Sequence, residues 1–471
     1  PADVIVFRDG DYAVAKNGRT GETIASSTDH AEVLEYAFNN YDNVYVSAGE
    51  YLLSAKHDIS DVSRNTNIVD YFTKCSIIIN GSRRRPKRIV FSDGAVIRTP
   101  LDEKYGGIVA DSLFGVEIEG GIFAEGYAPI IVTGDKVKIK GITCKPLDEN
   151  LYVKVGNIHY GVFVATYLMN MVLIEKSTIS QCRYNIYITF RRKHGDTIII
   201  RDNVLATDVV VESGVTPSHS IYIEGVDLTY DTTSSRHIII EGNHFFSQAS
   251  KLVDYGLTDD DIAKNNAAIV VDGKNIVHTR HNHIEGFGSC YYLKDTGSPF
   301  LRMYIEKDIV LSPYSLLIAT ELNRSDTYTV SFPTTRKNLG ELGHPYSDFS
   351  ILIDEIDFSG TPKIGICKSY GTEKLGLALI YKLADWRVWY SILANIAQYV
   401  GYPLISKTND DVSRTYQQVS LQDTGGLPLL SDCADLPSSG DYTGQVYVCY
   451  DTGAGKWVLK VWDGSNWQTI G

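Results

Sequence analysis

The chain lacks the features that mark several large classes of protein. No run approaches the roughly 18 consecutive apolar residues of a membrane-spanning helix. Its seven cysteines show no CxxC pair or metal-ligand spacing, and no phosphate loop, GxSxG or dinucleotide-binding motif occurs, so neither a metal nor a cofactor is expected. A formal net charge of −13 argues against nucleic acid and anionic membrane surfaces as partners.

What the chain has instead is a short pattern that occurs seven times between residues 116 and 306. Each repeat is an apolar pair with one residue between its members, followed in sequence by a charged residue. Successive side chains of a strand point to opposite faces, so the pair lies inward and the charge outward. If the repeats stack as parallel strands about 4.8 Å apart, the charges form one outer column of alternating sign: Glu119, Lys140, Glu175, Arg201, Glu241, Arg280 and Glu306.

A second set of inward pairs interleaves with the first. These pairs are Val162/Val164, Ile186/Ile188, Ile221/Ile223, Ile269/Val271, Tyr291/Leu293 and Leu316/Ile318. Every coil therefore has at least two strands, and the chain alternates between two faces of one tube. This predicts an all-β chain built on a parallel β-helix, for which strand twist and crossover chirality favour the right hand.

The N-terminal part is predicted to close this tube. Residues 1–43 are expected to form short strands and an amphipathic helix from His30 to about Asn40, capped by Asp29. Because an open solenoid end exposes apolar residues, this helix is the expected cap of a β-helix over residues 44–325. The predicted apolar face of the helix carries Val33, Leu34, Tyr36 and Ala37.

Beyond residue 325 the composition changes. Alternating apolar stretches predict a β-sandwich over residues 326–402, a polar segment predicts a linker over 403–424, and strand–turn–strand signals predict a small β module over 425–471. Cys433 and Cys449 flank a Gly/Ser-rich segment of that module, and the sequence leaves open whether they form a disulfide.

Two segments resemble known protein families. DHAEVLEYAFNNYDNVYVSAGEYLL resembles the entry of the pectate-lyase-like right-handed β-helix proteins, which include polysaccharide lyases, glycoside hydrolases and virus tailspikes, and the likeness covers about residues 20–325. GQVYVCYDTGAGKWVLKVWDGSNWQTIG resembles small modules at the ends of viral tail fibres. The resemblance implies the fold, a homotrimer and an extracellular or virion-surface location.

The outward positions of the second set form a largely aromatic column: Phe163, Tyr187, Tyr222, Val270, Tyr292 and Leu317. Exposed columns of this kind are rarely left bare. One interpretation is a glycan platform, with sugars lying on Tyr187, Tyr222 and Tyr292. The other is burial beneath inserted loops, for which residues 226–235 and 246–265 are candidates, or against neighbouring subunits.

Glu224 and Asp272 follow this column in neighbouring coils. Two carboxylates about 5 Å apart match the catalytic pair of a retaining glycosidase. The alternative is a short ionic ladder completed by Lys294, or solvated turn acids. Trp386 and Trp389 offer a second candidate glycan-binding face.

Three further patterns have structural interpretations. Asn203, Asn243 and Asn282 share a turn position where they are predicted to bond the backbone. The acidic run in TDDDIA is typical of a helix start capped by Thr258. The basic runs at 83–88 and 191–193 could hold an anionic polysaccharide, or they are solvated loops.

These patterns favour a viral tailspike or receptor-binding fibre protein that attaches to a cell-surface glycan. The first alternative is a secreted polysaccharide-degrading enzyme, either a glycoside hydrolase or a polysaccharide lyase. The second is a structural surface protein without a ligand. The expected partner is a polysaccharide, without nucleic acid or membrane insertion.

Overall fold

The fold is known from a computed structural model. It describes residues 2–63, 68–80, 85–100, 102, 104–146, 159–166, 171–190, 197–207, 218–224, 237–272, 275–294, 301–321, 328–331, 349–354, 357–359, 363, 365–370, 375–379, 402–405, 429–430, 433–438, 446–453, 456–463 and 465–470. Most of it is a parallel β-helix, because strands that follow one another at coil intervals pair side by side in three long sheets. The right hand stays a prediction.

The first sheet contains the charged repeats. In spatial order its strands are Thr23–Ser27, Tyr12–Asn17, Val4–Asp9, Asn43–Val46, Lys87–Phe91, Val116–Glu119, Val137–Lys140, Met171–Glu175, Thr197–Arg201, His237–Glu241, Asn275–Arg280, Leu301–Glu306, Phe349–Asp354, Tyr328–Ser331, Leu375–Leu379 and Tyr402–Ile405. The three N-terminal strands form an antiparallel meander, and the others pair in parallel.

The predicted charge column is confirmed. Each of its seven members is the register partner of the next along the sheet. Ion pairs join Lys140 to Glu119 at 2.7 Å, Arg201 to Glu175 at 2.6 Å and Arg280 to Glu241 at 2.9 Å, one coil to the next.

The third sheet contains the second set of pairs. Its strands run His57–Asp58, Lys74–Ile79, Tyr105–Ala110, Ala128–Val132, Tyr160–Thr166, Tyr184–Phe190, Ser218–Ile223, Asn266–Asp272, Ser289–Lys294, Leu316–Glu321 and Gly365–Ser369. The prediction that Leu317 belongs to the outward column is wrong. The register partner of Tyr292 is Ala319, and Leu317 packs in the interior. The inward–outward alternation is interrupted near the start of the strand Leu316–Glu321.

A second sheet lies between these two along the chain, and the sequence patterns missed it. Its strands are Gly49–Leu52, Ala95–Arg98, Ile122–Ala124, Thr143–Cys144, Thr178–Ser180, Val204–Thr207, His244–Ser247, His283–Glu285, Ile309–Leu311 and Asp357–Ser359. Most supply one inward residue, such as Ile179, Leu205 or Phe245. A single apolar residue per coil gives no period-two signal.

A ladder of buried amides joins the first and second sheets. The backbone N–H groups of Asn203 and Asn243 donate to the side-chain Oδ1 atoms of Asn243 and Asn282, each at 3.0 Å. Their Nδ2 groups donate to the carbonyls of Ile174 and Ile200 at 3.0 and 2.9 Å. The predicted turn role of these asparagines is confirmed.

The helix His30–Asn40 begins and ends as predicted, and the Asp29 carboxylate accepts from the Ala31 N–H at 3.1 Å. Val33, Leu34, Ala37 and Phe38 join the interior cluster of the β-helix. Tyr36 does not: it is 42% exposed, and Phe38 fills the buried position instead.

The second α-helix, Asp259–Asn265, is capped by Thr258 as predicted, and the Asp261 N–H donates to the Thr258 hydroxyl at 3.2 Å. Short 3₁₀ helices occur at Ile59–Asp61, Ala249–Tyr255 and Cys433–Asp435.

The described strands of the predicted β-sandwich region pair differently from a sandwich. Phe349–Asp354, Asp357–Ser359 and Gly365–Ser369 extend the first, second and third sheets in parallel, so they form one more coil of the β-helix. Alternating apolar residues predict strands but do not distinguish a sandwich from a further coil, because both bury one strand face.

The C-terminal strands Leu429–Leu430, Val446–Asp451, Lys456–Trp462 and Trp467–Ile470 form a separate small sheet. Cys433 and Cys449 form a disulfide beside it, which answers the question that the sequence left open.

Candidate functional site

The aromatic column of the third sheet is stacked along its own length. Strands in register place identical positions one coil apart, so neighbouring rings meet face to face. The rings of Phe163 and Tyr187 are 5.3 Å apart and 9° from parallel, and those of Tyr187 and Tyr222 are 5.1 Å apart and 3° from parallel. Both faces of Tyr187 and one face each of Phe163 and Tyr222 are therefore occupied by other rings. The stack is interrupted at Val270, the partner of Tyr222 in the next coil.

A segment near the N-terminus covers one end of this column. Ile59, Val62, Ile68 and Phe72 pack in a cluster with Phe163, Tyr160, Tyr184 and Tyr187 on the outer face of the third sheet. The ring of Phe72 meets that of Phe163 edge-on, 4.9 Å between centroids. No pattern in the sequence predicts that this segment returns across the sheet. The one signal that could have indicated it is the adjacent aromatic pair Tyr71 and Phe72.

The insertion between the second and third sheets covers the other end. Ala263 of the second helix packs with Val270, Tyr292, Leu316 and Ala319. This agrees with the interpretation that residues 246–265 cover the column; residues 226–235, the other candidate, lie outside the described residues. Tyr187 and Tyr292 are 7% and 2% exposed. Neither offers a free face in this chain, whereas Tyr222 is half-buried.

Beside the column, polar residues form a row at the ends of successive strands. Ala165 is the partner of Thr189, and the Glu224 N–H donates to the carbonyl of Ile188, which continues the same ladder. Asp272, Lys294 and Glu321 follow in consecutive coils. Glu224 and Asp272 are thus one strand spacing apart, about 4.8 Å, as predicted.

Tyrosine hydroxyls hold these carboxylates. The Tyr222 hydroxyl donates to Asp272 Oδ2 at 2.9 Å, so the tyrosine reaches diagonally into the next coil. The Tyr292 hydroxyl donates to Glu321 in the same way, and Tyr71 of the covering segment donates to Glu224.

Burial decides the ionisation of the phenols. It raises the pKa of Tyr71 to about 12, with a further contribution from the hydrogen bond to Glu224. Burial also raises the pKa values of Tyr222 and Tyr292 well above the ordinary tyrosine value. All three phenols therefore stay protonated near neutral pH and act as donors to these carboxylates.

Lys294 stands between the acids. Its Nζ is 4.0 Å from Glu321 Oε2 and 5.5 Å from the centroid of the Tyr292 ring. Lys294 is thus ion-paired with Glu321, an acid that the predicted ladder of Glu224, Asp272 and Lys294 did not include. Thr189 and Asp272 are buried. Glu224, Lys294 and Glu321 are half-buried, and their two carboxylates and one ammonium group are able to hydrogen-bond a polyhydroxylated chain.

At the start of the same strands lies a second group that the sequence reasoning missed. The rings of Tyr127 and His159 stack at 4.5 Å, and the guanidinium of Arg183 lies 5.4 Å from the centroid of Tyr184. Burial and the charge of Arg183 lower the pKa of His159 to about 3, so this imidazole is neutral. Tyr127, His159 and Arg183 are half-buried and occupy neighbouring coils.

The remaining predicted positions contribute less to the site. Trp386 and Trp389 lie outside the described residues, as does the basic run at 191–193. Arg85, from the other basic run, is exposed at the helix-capped end beside Asp42. His244 and His283 are register partners on the second sheet, and their ring centroids lie 4.3 Å apart.

Within the described residues, no group of three or more His, Cys, Asp or Glu side chains converges as metal ligands. No helix in the same part of the chain is long and apolar enough to cross a membrane.

No family model matches the chain, and no curated protein matches it. Among solved structures, it is similar to the catalytic domain of a GH87 α-1,3-glucanase in complex with nigerose (11% identity, TM-score 0.36) and to a variant of that domain in complex with tetrasaccharides (10%, 0.35). Each match covers 75% of this chain and 66% of the other.

Bacteriophage CBA120 tailspike protein 3 matches at 10% identity and a TM-score of 0.28, over 91% of this chain and 59% of that one. This chain thus spans about two thirds or less of the proteins that it matches. Likeness at this level transfers no function, and the assignment of the fold depends on the strand pairing described above.

Proposed function

We propose that this protein attaches to a cell-surface or extracellular polysaccharide, as the receptor-binding tailspike or fibre protein of a virus. The observation that supports the proposal most is the row Glu224, Asp272, Lys294 and Glu321, one polar side chain per coil beside the half-buried Tyr222. Such a row repeats along the axis of the β-helix, and a linear polysaccharide is likewise a repeating array of hydroxyl groups.

The proposed contacts differ from a simple stacking platform. Sugars would approach the edges of the rings and the polar row, because both faces of Tyr187 and one face of Phe163 are occupied by neighbouring rings. Tyr222 stacks on Tyr187 with one face and borders Val270 with the other, so it is the member of the column with which a sugar could stack. A homotrimer on the virion surface, and the face of Trp386 and Trp389 as a second binding site, remain part of the proposal.

A glycan array with the purified full chain, read at two salt concentrations, tests this function. Glu321→Gln keeps the shape of a half-buried member of the row and removes its charge, and should lower affinity about 5- to 10-fold, the scale of one charge-assisted hydrogen bond. The matched control is Glu285→Gln, an exposed neutralisation on the second sheet, which should bind like the wild type. A protein that binds no glycan on the array, alone or as an oligomer, would favour the structural alternative.

A second candidate function is glycoside hydrolysis. The placement of Glu224 and Asp272 in adjacent coils favours it, because their strand spacing matches the carboxylate separation of retaining enzymes. On this hypothesis one carboxyl group protonates the leaving oxygen and the other attacks the sugar. Glycans that bind should be assayed for new reducing ends. Glu224→Gln should abolish turnover and leave binding intact, whereas a pure attachment protein releases no reducing ends in any variant.

A further inference from the structure

Two free thiols lie together inside the β-helix. Cys144 ends a strand of the second sheet, where its register partner in the next coil is Ile179. Cys182 follows Ile179 in the turn toward the third sheet. Both cysteines are fully buried and belong to the same interior cluster.

Both thiols lie beside the same glycine, Gly161. The Cys144 thiol points to the carbonyl of Gly161 at 3.9 Å, and a Cβ added to Gly161 would lie 3.1 Å from Cys182 Sγ. The Cys182 thiol donates to the carbonyl of Ser180 at 3.4 Å. Both sulfurs therefore lie against Gly161, one at its carbonyl and one on the side where it lacks a side chain.

We propose that Cys144 and Cys182 form a second disulfide, which links consecutive coils when the chain meets a low-molecular-weight disulfide. Two thiol–disulfide exchanges complete the step. One cysteine attacks the reagent and releases one small thiol; the other attacks the mixed disulfide and releases the second. Both S–H bonds break, one S–S bond forms inside the chain, and the reagent takes up two electrons and two protons.

Accessibility determines when this exchange occurs. Exchange requires a thiolate, and burial raises the pKa of the Cys182 thiol far above its ordinary value. The closed core therefore reacts slowly, and the bond forms before the coil closes or while it opens locally. The chain already carries one disulfide, Cys433–Cys449, as proteins of oxidising surroundings do.

The test uses the wild-type full chain, purified under reducing conditions. Samples are incubated with oxidised glutathione in native buffer and in sub-denaturing urea, quenched in acid, alkylated in denaturant and mapped by mass spectrometry without reduction. We expect a peptide cross-linked through Cys144 and Cys182, formed faster in urea, while Cys75 and Cys290 remain available for alkylation. Full alkylation of Cys144 and Cys182 in both arms, or their pairing with other cysteines, would overturn the proposal.

A variant pair separates a specific bond from general oxidation. Cys144→Ala and Cys182→Ala should each lose the cross-link and leave the remaining partner open to alkylation. The oxidised wild type should melt at a higher temperature than its reduced form, as a disulfide between coils restricts the unfolded chain. That difference should shrink in either variant to the contribution of Cys433–Cys449. If oxidation raises the melting temperature of both variants as much as that of the wild type, the proposed link between the coils is contradicted.

Discussion

The buried amide ladder offers the sharpest test of how the coils are held in register. Asn243 is fully buried, and its side chain takes part in four hydrogen bonds. It donates to Ile200 O at 2.9 Å and to Asn282 Oδ1 at 3.0 Å, and its Oδ1 accepts from the N–H and Nδ2 of Asn203 at 3.0 and 2.9 Å. Asn243→Ala removes all four.

The magnitude follows from the groups that lose these partners. The carbonyl of Ile200 and the N–H of Asn203 each lose a bond, and a buried backbone group without a partner costs about 1–3 kcal/mol. The side chain of Asn203 also loses one bond, although it keeps the carbonyl of Ile174. The substitution should therefore lower the free energy of unfolding by about 3–5 kcal/mol.

Equilibrium unfolding in urea, followed by circular dichroism, measures this change. The urea concentration at the midpoint should fall, while the dependence of the unfolding free energy on urea concentration (the slope m) should stay the same. The control is Asn40→Ala, which removes an exposed amide that bonds to Tyr36 O at 2.8 Å, and should cost well under 1 kcal/mol. If Asn243→Ala costs no more than this control, the ladder does not hold the coils together. A change in the slope would show instead that unfolding is no longer two-state.

Three further perturbations have expected outcomes. Arg201→Glu puts like charges on neighbouring coils and should lower the melting temperature, and adding Glu175→Arg and Glu241→Arg should recover part of the loss; no recovery in the triple variant would contradict a paired column. Burial lowers the pKa of His219 to about 3. The folded state therefore prefers the neutral ring, so stability is fully present above about pH 6.5 and falls as the pH drops toward 3. His219→Gln should flatten this dependence in melting curves across that range, and an unchanged profile would assign it to other groups. Deleting residues 1–42 should cause aggregation, measured by light scattering, because the cap leaves the core; a soluble folded product would refute the capping argument.

The first sheet is the part of the fold that could be predicted best from the sequence. Glu175 and Arg201 are 26 residues apart in the chain, yet their alternating signs predicted that they would be neighbours, and they are ion-paired at 2.6 Å. A solenoid permits this because each coil repeats one local pattern and contacts only the coils beside it. The helix His30–Asn40 was equally predictable, because its cap and its apolar spacing are local features.

The candidate site was only partly determined in this way. The sequence placed Glu224 and Asp272 in adjacent coils, since register alone sets that spacing. It could not show that Tyr71, 153 residues away from Glu224, donates to that carboxylate, nor that Tyr71 and Phe72 pack against the aromatic column. Those contacts depend on a segment that returns across the sheet. Such a segment occurs once and does not repeat with the coils, so it produces no periodic pattern in the sequence.

The sequence by itself determined the β-helix, its capping helix, the alternating charge column and the stacked asparagines, because each repeats with the coil or depends on residues a few positions apart. Only the tertiary structure decided how many sheets each coil has, and that strands after residue 349 continue the helix. It also decided which ring faces remain for a ligand. Rings one coil apart stack on one another, and the inserted segments cover much of what remains, with Tyr222 left half-buried. The aromatic residues that suggested an open platform therefore contribute largely to packing.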